Sequence, residues 1–315
     1  MTSALRVPET LSSAPPAPSR VSVTDLCLLL MALIWGVNFI VVKFGTRVLA
    51  PLAFNSTRIA LAVVILWSIV GLRRLQMPAR RDLLGLLALG VLGNGLYQIF
   101  FIEGLARTRA GDAALLVSAA PAFIEVVHWM QGAERIGRRG AIGIGLSLAG
   151  IALVVSGSSR SAAGESTLLG NALVLCSCVC WSLYSVWLKP YTDRVNPVAL
   201  AAVTMSGGLM TLLVVSGPSL HATHWATLDV RGWGALAYSG VLALVVAYLF
   251  FYRGVRVLGA TRTTMYANLQ PIVAMTVAWL ALGESPHALQ VAGATFILGG
   301  LLLTRLSAPA CGEAA

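Results

Sequence analysis

The sequence predicts an all-α integral membrane protein: ten transmembrane helices as two inverted five-helix repeats. Three observations carry that expectation. The 315 residues are 57% hydrophobic and only 11% charged, whereas a soluble domain carries about 25% charged residues. Apolar runs of about 20 residues, the length that crosses a ~30 Å hydrocarbon layer, recur along most of the chain. The second half of the chain also repeats the first.

The elements follow in order. Residues 1–23, MTSALRVPETLSSAPPAPSRVSV, are rich in Pro, Ser and Ala and read as a disordered cytoplasmic tail without the apolar core of a secretory signal. Ten runs come next, near 25–44, 52–72, 82–103, 111–131, 140–157, 168–188, 197–217, 232–252, 262–282 and 287–306. The first is too long for a signal peptide and reads as a retained helix. The second opens behind Pro51, the fourth and ninth hold Pro121 and Pro271, the fifth holds Gly143 and Gly145, and the seventh holds Gly207 and Gly208. Membrane helices tolerate both residue types. The expected organisation is a repeat at 24–158, a connecting loop at 159–167, a second repeat at 168–306 and a cytoplasmic tail at 307–315. Buried helices of a large soluble protein would need polar faces and long polar loops, and the chain supplies neither.

The net charge of +10 does not point to nucleic acid, because the arginines cluster between the apolar runs, as in GLRRLQMPARR (71–81) and ERIGRRG (134–140). Counted by alternate sides, the tails and even-numbered connections hold 15 Lys and Arg against 6 on the other side, with Arg58 inside a run. The positive-inside rule then places both termini in the cytoplasm. Cys176, Cys178 and Cys180 do not read as a metal site, because helical neighbours two apart point about 200° apart and cannot converge on one ion. No metal and no cofactor are expected.

A shift of 146 brings Trp35 onto Trp181, Lys43 onto Lys189 (the only two lysines) and Pro51 onto Pro197. At a shift of 150, Phe100, Phe101 and Gly104 meet Phe250, Phe251 and Gly254, Pro121 meets Pro271, Trp129 meets Trp279, and Glu134 meets Glu284. Gly143 and Gly150 likewise meet Gly293 and Gly300. Five is odd, so the copies run in opposite senses. Inverted repeats are a signature of transporters, with the solute near the midplane at the repeat interface.

WGVNF (35–39), PLAFNSTRIA (51–60), PAF (121–123) and the Glu134…Gly143…Gly150 pattern resemble the EamA-type family of the drug/metabolite transporter superfamily. The second copy repeats the pattern as PIV (271–273) and Glu284…Gly293…Gly300, so the resemblance covers residues 24–306. It implies passage of small metabolites, such as amino acids, nucleoside-like compounds or drugs, across a bacterial inner membrane. The second copy departs from the pattern, with WSLY for WGVN and Thr204 where the first copy has Arg58.

Polar residues inside the runs supply the candidate solute site. Lys43 and Lys189 are expected to be helix-end anchors whose stems snorkel to the interface. Asn38 and Arg58 each lie ~10 Å below the outer surface, at ~1.5 Å per residue. Asn55 shares a helix face with Arg58, so the three can form one cluster. There Arg58 is either a carboxylate clamp or part of an ion pair with Glu103 or Asp112. Ser118, Glu125 and His128 share a face of the fourth run, and Glu125 and His128 lie in its cytoplasmic half. The mates of Glu125 and His128 are Met275 and Ala278, so the fold does not need ionisable groups there. A Glu/His pair suits a coupling proton or a cationic amine. Tyr266, Asn268 and Gln270 of the ninth run, Asn94, Tyr97 and Gln98 of the third, Tyr248 of the eighth, and Trp181 and Tyr184 of the sixth complete the candidate lining. Glu134 and Glu284 read as acidic residues that favour the N-terminal dipoles of the fifth and tenth helices.

The expected function is transport, with export more expected than uptake, of a small organic solute by alternating access. The partners are the solute, the bilayer and a coupling proton. A channel-like facilitator is the nearest alternative. A membrane-embedded enzyme is disfavoured, because His221 and His224 have only Asp229 nearby and no HExxH, GxSxG or phosphate loop is present.

Overall fold

The computed structural model describes residues 22–132, 137–158, 168–258, 263 and 266–305. The two tails, the 159–167 loop and Glu134 therefore lie wholly or largely outside the described residues. Eight described helices are long and apolar enough to cross a membrane. They are α1 (Val23–Val48), α2 (Pro51–Leu72), α3 (Arg80–Ala106), α4 (Ala110–Met130), α5 (Arg138–Gly157), α6 (Leu168–Thr192), α7 (Pro197–Ala222) and α8 (Val230–Leu258). Two shorter apolar helices, α9 (Gln270–Leu282) and α10 (Ala288–Arg305), complete the ten.

Local chemistry sets the ends. Ser22 and Asp25 form a capping box at the start of α1: the Ser22 hydroxyl accepts from the Asp25 amide and the Asp25 carboxylate accepts from the Ser22 amide. α2 and α7 open on the repeat mates Pro51 and Pro197, where a missing N–H leaves no helical bond unmade. Two expected continuous helices are interrupted. α4 breaks at Ala119 into Ala110–Ser118 and Ala120–Met130, because Pro121 has no N–H for the carbonyl of residue 117. α9 begins only at Gln270, after a turn at Asn268 and Leu269 and just ahead of the mate Pro271. α3 and α8 share another irregularity: both carry a π-helical stretch, at Val91–Leu96 and Tyr238–Val246, overlapping at the 150-residue shift.

The packing follows the repeat. α5 pairs with α10 and α2 with α7; α1 packs on α8 and α9, as its mate α6 packs on α3 and α4. The matched glycines of α5 and α10 are places where backbones touch. A Cβ on Gly150 would lie 2.7 Å from the Gly293 carbonyl oxygen, and one on Gly300 would lie 2.4 Å from that of Gly143. Gly90 of α3 similarly abuts the Thr204 backbone, and its mate Gly240 of α8 abuts the backbone of Arg58, the mate of Thr204.

One contact breaks the symmetry. At the side where α1 ends (the far side), α1 packs on the last turns of α3 and the first half of α4, and α9 packs on that same half. At the side where α1 begins (the terminus side), α6 makes no comparable packing with Ala247–Leu258 of α8 among the described residues. Among the described residues, the α3/α4/α6 group and the α1/α8/α9 group pack against each other on the far side.

Candidate functional site

The centre of the site is an arginine with neutral partners. Arg58 is 1% exposed. Its Nε donates to Asn55 Oδ1 at 2.9 Å, one terminal nitrogen to Ser239 Oγ at 2.7 Å and the other to Gln98 Oε1 at 2.8 Å. Asn55 Nδ2 donates to the Gln98 carbonyl at 3.1 Å, and Ser239 Oγ donates to Asn38 Oδ1 at 2.9 Å. The Phe54 ring lies 5.9 Å from the guanidinium carbon. Four helices therefore meet at one cation: α1 through Asn38, α2 through Asn55 and Arg58, α3 through Gln98, and α8 through Ser239. The cluster of Asn38, Asn55 and Arg58 forms as expected, but the ion pair with Glu103 or Asp112 does not. Glu103 bonds Arg107 one turn along its own helix, and no carboxylate pairs with Arg58 among the described residues.

Aromatic rings flank the cluster on two sides. On one, Trp35 meets Tyr248 edge to face at 5.5 Å and Tyr248 meets Tyr252 at 6.1 Å. On the other, Trp181 lies 5.3 Å from Tyr97 and 5.4 Å from Tyr184. Trp35 and Trp181 are repeat mates, and each wall joins rings from both halves. The π-helical stretch of α8 helps hold its wall, because disrupted i→i+4 ladders leave carbonyls free to accept from outside. Trp35 Nε1 donates to the Ala243 carbonyl there at 2.9 Å.

The other candidates take different places. Asn94, 3% exposed, sits behind the second wall, where it packs against Gly208. Tyr184 is itself 4% exposed and reaches Thr204 Oγ1 at 3.4 Å. Ser118 lies at the break of α4 and turns its hydroxyl onto the Leu115 carbonyl. Asn268 and Gln270 flank the equivalent break ahead of α9 and are half-buried. Glu125 and His128 are half-buried on the second half of α4. Tyr266 is not brought to the Arg58 cluster; its hydroxyl donates to Asp25 in the first turn of α1 at 2.8 Å.

Sequence reasoning missed Ser239, which joins Arg58 to Asn38. A lone hydroxyl in an apolar run carries no special signal. It also misplaced Lys43. This residue is 5% exposed and does not snorkel; its ammonium donates to the carbonyls of Leu105, Ala106 and Thr108 at the end of α3. Lys189, its mate, is exposed near the end of α6.

Glu284 also serves a different helix from the one expected. It lies in the connection between α9 and α10, and its carboxylate accepts from the amides of Ala110 and Gly111, both at 3.3 Å, capping α4. Arg109 completes this far-side closure, donating to the Ser285 carbonyl at 2.9 Å, meeting the His287 ring and lying 3.9 Å from Glu284. Burial pushes the Glu284 carboxyl above its usual range, against the two amides and the Arg109 and Lys43 charges. A raised carboxyl contributes stability that is complete below the ordinary carboxylate range and is lost as pH rises through the raised value. Glu284→Gln keeps an oxygen for the two amides and removes the titration. The Tm of wild type should therefore fall as pH rises above the ordinary carboxylate range, and the Gln variant should lose that slope. Parallel Tm–pH curves would refute this.

The model of the EamA-like transporter family matches this chain twice, over residues 22–156 and 168–306. The chain is similar to the uncharacterized transporter YyaM of Bacillus subtilis, 25% identical over 282 residues, covering 88% of this chain and 92% of that one. It is similar to a probable terminal-alkyne amino-acid exporter of Streptantibioticus cattleyicolor, 26% identical over 279 residues, covering 88% and 91%. A solved crystal structure at 19% identity shares the fold, with a TM-score of 0.61 over 91% of this chain and 98% of its own. On the double match of the family model, carried by a multi-pass helical membrane fold, this chain belongs to the EamA-like transporter family.

Proposed function

We propose that this protein is an alternating-access carrier that exports small carboxylate-bearing solutes, amino-acid-like in size, across the bacterial plasma membrane. The arginine count puts both termini in the cytoplasm in this reading. The terminus side is then the cytoplasmic side, and the conformation is the one open to the cytoplasm.

The observation that carries the reading is the buried Arg58 with three neutral acceptors and no carboxylate among the described residues. A cation inside a membrane protein ordinarily faces a counter-charge or a substrate path. A solute carboxylate ~8 Å away would gain about 2 kcal/mol at an effective dielectric of ~20. The half-buried Asn38, Tyr97 and Tyr248 offer the direct contacts, and the two aromatic walls suit the solute's organic body. Ser118, Asn268 and Gln270, at the two helix breaks, extend the lining, as discontinuous helices do in other carriers. Glu125 and His128 serve the solute amine or a coupling proton. The likeness to a probable amino-acid exporter agrees with this cargo class. The far-side closure favours a carrier over a permanently open channel.

The test is counterflow in proteoliposomes loaded with matched amino acids, organic acids and amines. Saturable exchange of carboxylates, at least tenfold over the matched amines, is expected. Flux that no solute on the opposite side accelerates would favour the channel-like facilitator, and equal exchange of amines would remove Arg58 from the cargo site.

A further inference from the structure

The only two lysines of the chain are repeat mates, and they stand in opposite situations. Lys43 is 5% exposed, with Nζ 3.0 Å from the Leu105 carbonyl oxygen and 3.2 Å from that of Ala106, and bonded also to that of Thr108. These are the carbonyls that a helix end leaves without intrahelical partners. An ammonium there also meets the negative end of the helix dipole. The contact ties α1 to α3, so it bridges the two helix groups where they are closed. The mates of Leu105, Ala106 and Thr108 are Val255, Arg256 and Leu258, the last turn of α8. Lys189 is exposed, and among the described residues α6 is not packed on that part of α8. The same parts are present on both sides, assembled on one and separated on the other.

We propose that Lys43 and Lys189 are alternately engaged clasps: Lys43 on the end of α3 holds the far side shut, and in the opposite conformation Lys189 engages the end of α8 and holds the terminus side shut. The inference rests on alternating access as proposed above, and not on the identity of the cargo. Inverted repeats supply its physical basis, because each repeat can take up the other's conformation. When the terminus side closes, the α6–α8 contact becomes the image of the present α1–α3 contact. Lys189 then reaches the carbonyls of Val255, Arg256 and Leu258, and Lys43 is released to solvent. The carbonyl groups of an opening helix end pass to water as the other end gains its ammonium, so neither conformation leaves a buried cation unpartnered.

Two measurements on the full-length protein test this. With only two lysines, an amine-reactive ester read by peptide mass spectrometry reports each clasp directly. In the conformation described, Lys189 should label at least tenfold faster than Lys43. Nitroxides on cysteines replacing the exposed Asp193 and Val257, in an otherwise cysteine-free background, then report the α6–α8 separation in liposomes. Wild type should show a long and a short distance. Lys189→Met, a change at an exposed side chain, should reduce the short-distance population several-fold and slow labelling of Lys43, and Lys189→Arg should restore both. Two distances insensitive to residue 189 would overturn the clasp while leaving alternating access intact. A single distance in every sample would overturn both.

Discussion

Arg58→Met should reduce the initial transport rate to 1% of wild type or less, on the order of a hundredfold, while leaving a folded, correctly inserted protein. The expectation rests on separating what Arg58 does for the fold from what its charge does for the cargo. Its mate Thr204 occupies the equivalent place, 1% exposed, with its hydroxyl on its own helix at the Leu200 carbonyl. The fold thus accommodates a small neutral residue at this position in the other copy. Replacing the buried charge by an apolar side chain removes its desolvation cost, which offsets the loss of its three hydrogen bonds. Part of the network stays in place, with Asn55 Nδ2 on the Gln98 carbonyl and Ser239 on Asn38, while Asn55 Oδ1 and Gln98 Oε1 lose the donor that Arg58 supplies. What vanishes is the positive potential between the two aromatic walls. Arg58→Lys keeps the charge but cannot span three acceptors with one planar fork, so transport about tenfold below wild type is expected. The measurement is the initial counterflow rate, normalised to protein recovered in a monodisperse peak. Normal transport by the Met variant would place the cargo elsewhere. A Met variant that does not fold would make Arg58 a strut between α2, α3 and α8.

Much of the architecture was legible because the signals that survive duplication are steric. Gly143, Gly150, Gly293 and Gly300 recur because the α5 and α10 backbones touch there, and no larger residue fits at Gly150 or Gly300 without parting the helices. Pro51 and Pro197 recur because a helix starts at each. The cost of an intramembrane arginine also made Arg58 conspicuous, and helical spacing placed Asn55 beside it. The direction of a flexible side chain was not legible. Lys43 at a helix end is equally well written for snorkelling or for capping a neighbour, and only the packing of α1 on α3 turns it inward. Glu284 precedes α10 in sequence yet caps α4 in space, because the far-side closure brings the two connections together. Pro121 and Pro271 were visible, but membrane helices often absorb a proline without breaking. Nothing in the runs distinguished a tolerated kink from the interruptions at Ala119 and ahead of Gln270.

Replacing Glu125 by Met and His128 by Ala should lower transport at least tenfold and flatten its pH dependence between about 5 and 8, with no loss of folded protein. The mates say what the exchange of conformations demands of these two side chains. Ala278 is 1% exposed and Met275 lies against Gly111, within the far-side contact between α9 and the first half of α4. On the proposed exchange of conformations, the second half of α4 would enter the equivalent terminus-side contact. Glu125 and His128 then occupy the places held now by Met275 and Ala278. Closing the terminus side therefore carries a carboxylate and an imidazole from a half-buried face into a packed one. Burying a charge is costly unless it is neutralised or paired, and a proton or a solute amine on the pair would lower that cost. On the proposed carrier mechanism the pair would act as a coupling device, with a loaded carrier closing more readily than an unloaded one. The Met/Ala variant closes with nothing loaded, so it should sample both conformations without coupling them to cargo or protons. The test is initial rate against pH for wild type and the double variant, with the Asp193/Val257 distance measured in parallel without solute. A larger short-distance population together with a flat pH profile is the expected combination. An unchanged rate and profile would reduce Glu125 and His128 to packing and leave Arg58 and the two helix breaks as the whole of the site.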